Sequence, residues 1–550
     1  TAKETLQRWL PLLSLDEAPE RASSRASASF TWDLYPYEAK DVEMGLRRGV
    51  LALAETVDGA YMVALITQPD EYDALYEAVF LPAVDALAPV SDLPSRYEVY
   101  NGWPHVASIE AVGHSARETV DFRLETCTRL RVYAIGQLQG PSMVDYGYVE
   151  DATTGQIVWQ MYPFETESAG YVQNRRADRP LTLPAGTYRL HYHSDASHAF
   201  DDWGDRPPSH RFWGISLFVD QEPGAPPPQC LPRAEHVEDI GWSAVQLAQL
   251  GAEFADHDLA AVLVLSQGQV VLEWGNTANN FLAHSMRKSL MSAMYGIAVD
   301  RGLVDPGQTL AALGIDDINP LTEQERQATV EELLQARSGV YIPAAGEVQS
   351  MRDDRPARGS HAPGSHWYYN NWDFNALGTI FEQETGQNIY QAFAQWIGAP
   401  TGAQDFFPER LQYTYEYWLS QHPYYGFRIS ARDLARFGQL LLQAGNWQGS
   451  QVVPRDWVEL TTQAHSRTQD SGTYSGYGYM WWVAARDDDG IPAGAYAASG
   501  FGGHTVEVLP QLETVIVLRP NTDAPEARLL GSDEADDIVR TILQARMEPD

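Results

Sequence analysis

The chain has 550 residues, of which 44% are hydrophobic, 11% aromatic and 20% charged, with a formal charge of −36 and a pI near 4.6. That length exceeds a single core and predicts about two to four domains. The acidity excludes nucleic acid and anionic membranes as natural partners, and no apolar run approaches the ~18 residues of a membrane-spanning helix. Only three lysines occur, Lys3, Lys40 and Lys288, so arginine carries nearly all the positive charge. Acid excess with scarce lysine fits either solubility in high salt or a codon bias toward arginine.

Residues 1–95 predict a small α+β domain. An amphipathic helix falls near Glu4–Leu13, strands at Ser27–Leu34, Val50–Glu55 and Ala60–Thr67, and a helix over Asp70–Leu87. Residues 96–220 read as β. Runs at Thr119–Leu124, Arg129–Ile135, Gln156–Met161, Thr187–His193 and Phe212–Val219, separated by turn signals, predict an antiparallel sandwich or jelly roll. Residues 221–234 are Pro-rich and predict a stiff linker. Cys127 and Cys230 lack metal-ligand spacing. They could form one disulfide, but two free thiols are the preferred expectation.

Residues 235–550 mix helices and strands. Helices are predicted at Ser243–Ala255, Ser285–Arg301, Val330–Gln335, Phe374–Thr385, Ile389–Trp396, Ala431–Gln443 and Asp533–Ala545. Strands are predicted at Ala260–Ser266, Gln269–Trp274, Tyr479–Val483, Thr505–Leu509 and Thr514–Leu518. Two strands before the helical block and at least three after it predict one antiparallel sheet built from both ends and flanked by helices.

Ser285-Met-Arg-Lys288 falls at the start of a predicted helix, so Lys288 stands one turn beyond Ser285 on the same face. A serine hydroxyl is a poor nucleophile until a base removes its proton. An ammonium deprived of water or placed near other cations can lose its own proton and serve as that base, which a guanidinium cannot do. The bland alternative is an N-cap serine beside a solvated lysine. His191 and His193, with His198, Asp201, Asp202 and Asp205 nearby, could bind a metal, but a polar strand face with its loop is the better reading. The catalytic reading requires no metal and no cofactor. Gly-x-Ser-x-Gly, His-Glu-x-x-His and phosphate-loop patterns are absent.

Three segments occur in order: Ser285-x-x-Lys288, then Tyr369-Asn370-Asn371, then Ser499-Gly500-Phe501-Gly502-Gly503. Together with 426–438 and 476–482 they resemble the serine β-lactamase and penicillin-binding-protein superfamily. The nearest branch holds class C β-lactamases, family VIII carboxylesterases and 6-aminohexanoate-dimer hydrolases. The resemblance covers roughly residues 235–545 and implies a β-lactamase/transpeptidase-like α+β fold that works through an acyl-enzyme.

On that match Ser285 is the nucleophile. Lys288 and Tyr369 are the acid/base pair, with Tyr368 the lesser candidate. Asn371 orients substrate or Lys288, and the amides of Ser285 and Phe501 form the oxyanion hole. Ser499, Gly500 and Gly502 would contact substrate. The superfamily's usual Lys or His is replaced by Ala498, with His504 a weak substitute. This tilts the expected substrate toward esters or small linear amides. The alternatives are β-lactamase or D-alanyl-D-alanine carboxypeptidase activity, and a penicillin-binding sensor or non-catalytic binder. The expected partners are a small ester or amide and a polymer surface met by the accessory domains. The chain starts at Thr1 with neither an initiator Met nor a basic-plus-apolar leader, which fits a signal peptide removed or never present; a secreted or periplasmic location is the expectation.

Overall fold

The computed structural model describes residues 18–41, 45–56, 59–87, 100–170, 173–200, 202–203, 206–207, 210–468, 472–488 and 490–547. The helix expected at Glu4–Leu13 and the residues Asp201 and Asp205 lie outside them. Two compact units emerge: one comprises residues 1–102, 168–174 and 204–210, the other residues 103–167, 175–203 and 211–550.

In the first unit, strands β1 (Ser23–Ala26), β2 (Thr31–Asp41), β3 (Gly45–Thr56) and β4 (Gly59–Thr67) form an antiparallel sheet in chain order. The helix expected over Asp70–Leu87 is present as Tyr72–Leu75, a π turn Tyr76–Phe80 and Leu81–Ala86. Its Tyr72, Phe80 and Val84 pack with Trp32, Leu34, Val50 and Ala52 of the sheet. Alternate residues of β2 and β3 thus meet one apolar helix face, as the two-residue period of a strand requires.

The second unit opens with nine strands in one hydrogen-bonded system: β5 (His105–Ile109), β6 (Arg117–Leu124), β7 (Thr128–Gln139), β8 (Ser142–Asp151), β9 (Ile157–Gln160), β10 (Glu167–Ser168), β11 (Asn174–Leu183), β12 (Gly186–His193) and β13 (Gly214–Val219). Two branches leave the β7–β8 hairpin. β7 continues to β13 and β5, and β8 continues to β12 and β6. Tyr192 Oη, from β12, donates to Ile135 O of β7 at 2.7 Å and links the branches.

This β region does not stand apart from the C-terminal part of the chain; both belong to one compact unit. Cys127 and Cys230 form a disulfide, with Cα atoms 5.9 Å apart across a sequence separation of 103. The expectation of two free thiols is corrected: the Pro-rich segment lies against the β region and brings Cys230 to the turn before β7. Val270 N–H also donates to Pro232 O at 2.7 Å, so the segment packs on the C-terminal part as well.

The C-terminal part holds an eight-stranded antiparallel sheet flanked by helices. We label helix α1 (Ala244–Asp256), strands β14 (Leu259–Ser266), β15 (Gln269–Gly275) and β16 (Phe281–Leu282), helices α2 (Met286–Asp300), α3 (Asn371–Thr385) and α4 (Ala431–Leu442), strands β17 (Arg428–Ile429), β18 (Ser466–Arg467), β19 (Gly476–Tyr477), β20 (Trp482–Val483), β21 (Tyr496–Gly500), β22 (His504–Leu509) and β23 (Thr514–Pro520), and helix α5 (Ser532–Gln544). The order is β15-β14-β23-β22-β21-β20-β19-β18, so strands from both ends of the segment meet at β14–β23.

Side-chain alternation assigns the faces. Val262, Val264, Ile516 and Leu518 pack with Leu250 and Phe254 of α1 and Ile538 and Ile542 of α5. Ala261, Leu263, Val515 and Val517 pack with Met286 and Leu290 of α2 and Leu434 and Phe437 of α4. Each such side chain contributes about 1.5–3 kcal/mol when fully buried.

Candidate active site

The approach to Ser285 is held from several sides. β16 pairs with β17, and Ala283 N–H donates to Phe427 O at 2.8 Å. His284 comes next with φ of 47°, a left-handed conformation unusual for a residue with a Cβ. Its Nε2 meets Thr522 Oγ1 at 2.8 Å, while its ring stacks edge-on against Phe501. Burial drives its pKa down to about 4, so the imidazole is neutral. Backbone strain of this kind persists only where the surroundings over-determine it.

Ser285 stands at the N-cap of α2, yet its hydroxyl caps no amide. Instead Lys288 Nζ lies 2.9 Å from Ser285 Oγ and 2.7 Å from Tyr369 Oη. Residues Met286 to Ala298 of this helix are all buried. Lys288 is 2% exposed, with its Nζ over the rings of Tyr369 (4.1 Å) and Phe374 (4.6 Å). Burial, reinforced by the Arg287 guanidinium, holds the Lys288 ammonium well below its ordinary range. Burial also pushes the Tyr369 phenol up to about 12, against the pull of Ser285 and Arg287. Burial thus favours the free amine of Lys288 and the intact phenol of Tyr369. Tyr368 turns elsewhere: its hydroxyl donates to Met351 O at 2.5 Å.

Asn371 opens α3 two residues after Tyr369, and its Nδ2 donates to Gly346 O at 2.8 Å. It secures the 344–348 segment, whose Val348 lines the cleft, while Lys288 is held by Ser285 and Tyr369. The N-cap of α3 is the adjacent Asn370, whose Oδ1 accepts from Trp372 N–H.

Ala498-Ser499-Gly500 belongs to β21, a strand with no counterpart among those predicted, and the glycine-rich turn 501–503 links it to β22. Gly500 is required by close approach: a Cβ there would sit 2.7 Å from Ala283 O and 3.4 Å from His284 Cβ. The strand edge thus lies directly against the chain leading to Ser285. Ser285, Tyr369, Ser499, Gly500, Phe501 and Gly502 all line one cleft of about 490 Å³, with Trp482 and Met351 among its apolar walls. Ala498 is buried in the core, and no Lys or Arg lines the cleft among the described residues, whereas Glu507, Asp533 and Asp536 do. His504 does not supply the missing cation. Its Nδ1 accepts from Arg519 Nε at 3.0 Å, and burial with the neighbouring Arg519 and His284 holds it neutral.

The histidines of β12 have other partners. His191 stacks on Tyr148 at 4.4 Å with Nδ1 3.0 Å from Thr119 Oγ1, His198 packs edge-on against Trp213, and Asp202 meets His114 at 2.9 Å. Among the described residues no group of three or more His, Cys, Asp or Glu is arranged to hold a metal ion.

A family model described as Beta-lactamase matches residues 250–539. The 6-aminohexanoate-dimer hydrolase of Paenarthrobacter ureafaciens is 25% identical over 366 residues, covering 60% of this chain and 89% of its own length. Among solved structures, a family VIII carboxylesterase is 15% identical with a TM-score of 0.42, over 57% of this chain and 98% of its own. A penicillin-binding-protein homologue of Caulobacter crescentus is 15% identical with a TM-score of 0.42 and the same coverages.

Proposed function

Because the chain belongs to the Beta-lactamase family, we propose that it is a serine hydrolase that acylates Ser285 and acts on esters or small linear amides. The observation that carries this reading is the contact of one buried lysine nitrogen, Lys288 Nζ, with both Ser285 Oγ and Tyr369 Oη.

The chemistry derives from those contacts. The free amine of Lys288 accepts the Ser285 proton as Oγ forms a bond to the substrate carbonyl carbon. The carbonyl π electrons move onto oxygen, and the resulting oxyanion is met by the amides of Ser285 and Phe501, each worth about 3–4 kcal/mol in such a site. Collapse breaks the bond to the leaving group, which takes a proton from Tyr369. Lys288 returns the proton gained from Ser285 to Tyr369 along their 2.7 Å contact. In the second half, water gives its proton to the same pair as it attacks the acyl carbon, and Ser285 Oγ leaves reprotonated with release of the acid.

The cleft lining supports the substrate class. A β-lactam carboxylate would meet no cation there and would face Asp533 and Asp536. A neutral ester or amide avoids that repulsion. The 25% identity to a 6-aminohexanoate-dimer hydrolase makes linear amides the first to try. The Cys127–Cys230 disulfide supports a secreted or periplasmic setting, since such bonds persist in oxidising compartments.

A fluorophosphonate probe with intact-mass measurement tests the nucleophile: one adduct is expected on the wild type and none on Ser285→Ala. A panel of p-nitrophenyl esters, linear amide dimers and nitrocefin tests the substrate. Nitrocefin as much the best substrate would overturn the ester or amide assignment, and a stable adduct without turnover would make the protein a penicillin-type sensor.

A further inference from the structure

Helix α2 buries a second cation beside Lys288. Arg287 is 0% exposed, with Nη2 donating to Asn375 Oδ1 at 2.7 Å and its guanidinium carbon 4.1 Å above the Tyr425 ring and 4.3 Å above the Tyr424 ring. Its Nε and Nη1 are buried without a hydrogen-bond partner. Three other buried arginines are matched by acids, Arg179 by Glu165, Arg432 by Asp405 and Arg436 by Asp433, while Arg519 donates to backbone carbonyls and His504. Arg287 has an amide and two aromatic faces instead.

Packing alone does not account for it. A cation over two rings gains roughly 2 kcal/mol when desolvated. Burying an unpaired charge costs several times that. A methionine would fill the same slot without the penalty. The charge therefore points to what lies next to it.

Among the described residues no carboxylate hydrogen-bonds to the Arg287 guanidinium. From α3 comes Asp373, which burial keeps protonated far above the ordinary carboxyl range, and Glu382, which is bound to Tyr413 and Asn388. The helix Ile389–Phe393 contributes Tyr390, β19 contributes Tyr477 and β21 contributes Tyr496, all phenols pushed up by burial. β22 brings neutral His504 and Glu507, the latter pushed up by burial. Helix Arg455–Thr461 brings only the exposed Arg455, Asp456 and Glu459. Tyr369, Tyr424 and Tyr425 complete the ring of neighbours.

We propose that Arg287 is a positioning residue for the reaction: its uncompensated charge drives the proton off Lys288, leaving the free amine that Ser285 requires. This rests on the hydrolase reading. Like charges one residue apart in a dry site disfavour double protonation, and the same field eases proton loss from Tyr369.

The test is the pH profile of kcat/KM for a p-nitrophenyl ester. Removing the charge in Arg287→Met lets Lys288 hold its proton to higher pH, so the acid limb should move up by about 1–3 units. Activity below the limb should fall about tenfold per unit and recover at alkaline pH, which a merely misfolded variant would not do. Asn375→Asp, nearly identical in shape, sets a carboxylate against the guanidinium and should move the limb upward as well; it decides the matter if Arg287→Met does not fold. An unmoved limb in a folded variant overturns the proposal alone. Wild-type turnover that survives Ser285→Ala overturns the hydrolase reading, and this inference with it.

Discussion

Glu165, in a short turn of the β region, accepts a 2.7 Å hydrogen bond from the backbone N–H of Asn280, just upstream of β16 and the nucleophile. The same carboxylate accepts from Asn279 Nδ2 at 3.2 Å and from Arg179, while Arg410 Nη1 donates to Glu165 O at 2.9 Å. The β region therefore braces the segment that delivers Ser285.

Removing this brace has a measurable cost. Glu165→Ala leaves the buried Arg179 with only Asp405, 3.9 Å away and already paired with Arg432, so a loss of up to about 3–5 kcal/mol is expected by urea unfolding. Ser285 acylation should slow in parallel. Unchanged stability and acylation would show that the β region does not support the site.

Lys288 offers two opposed predictions. Lys288→Arg keeps the charge but cannot give up its proton, so activity should fall by about 10²–10⁴. Lys288→Met should be equally inactive yet more stable. The folded-state pKa lies below the ordinary value of 10.5, so between the two the unfolded chain binds a proton that the folded chain lacks. The resulting penalty is complete below the folded pKa and fades as pH rises toward 10.5. The Tm advantage of Lys288→Met should therefore be greatest at low pH and shrink on the alkaline side.

Tyr369→Phe separates proton donation from nucleophile activation. With its phenol pushed up to about 12, Tyr369 keeps its proton at neutral pH and can give it to a leaving group. An amide needs that proton; p-nitrophenolate does not. The loss should approach about 10²–10⁴ for linear amides and be much smaller for p-nitrophenyl esters. Equal losses for both would assign Tyr369 to base catalysis.

Arg519 holds the floor of the site. It is fully buried, donating to Ile429 O at 2.6 Å, Phe281 O at 2.7 Å and His504 Nδ1 at 3.0 Å. Arg519→Met strands those acceptors, at about 1–3 kcal/mol each. A lower Tm and weaker fluorophosphonate labelling are expected, whereas an unaltered Tm would remove Arg519 from the framework.

Much of this is legible in the sequence where periodicity speaks. The helices at Met286–Asp300, Ala431–Leu442 and Ser532–Gln544 fall within a residue or so of expectation, because apolar residues recur on one face between turn signals. β21 is illegible because Ala498-Ser499-Gly500 has little strand propensity; it pairs because its backbone is flanked by β20 and β22. β8 and β11 are hidden for a related reason: Asp145, Asp178 and Arg179 interrupt their apolar runs, and only tertiary contacts satisfy those charges. Ser285 and Lys288 can be picked out from residue type and spacing, and Tyr369 through the family resemblance. Arg287 cannot, since an arginine in sequence looks solvated until the rings of Tyr424 and Tyr425 close over it.

The Cys127–Cys230 bond has a further consequence for handling the protein. Every peptide bond between these two cysteines lies inside a covalent loop. A protease that cuts there leaves two fragments in one molecule, which migrate together on a non-reducing gel and part only when the sulfurs are reduced. Nicked protein could thus retain the brace at Glu165 and an intact Ser285 centre, with a severed backbone invisible to any assay run without reductant.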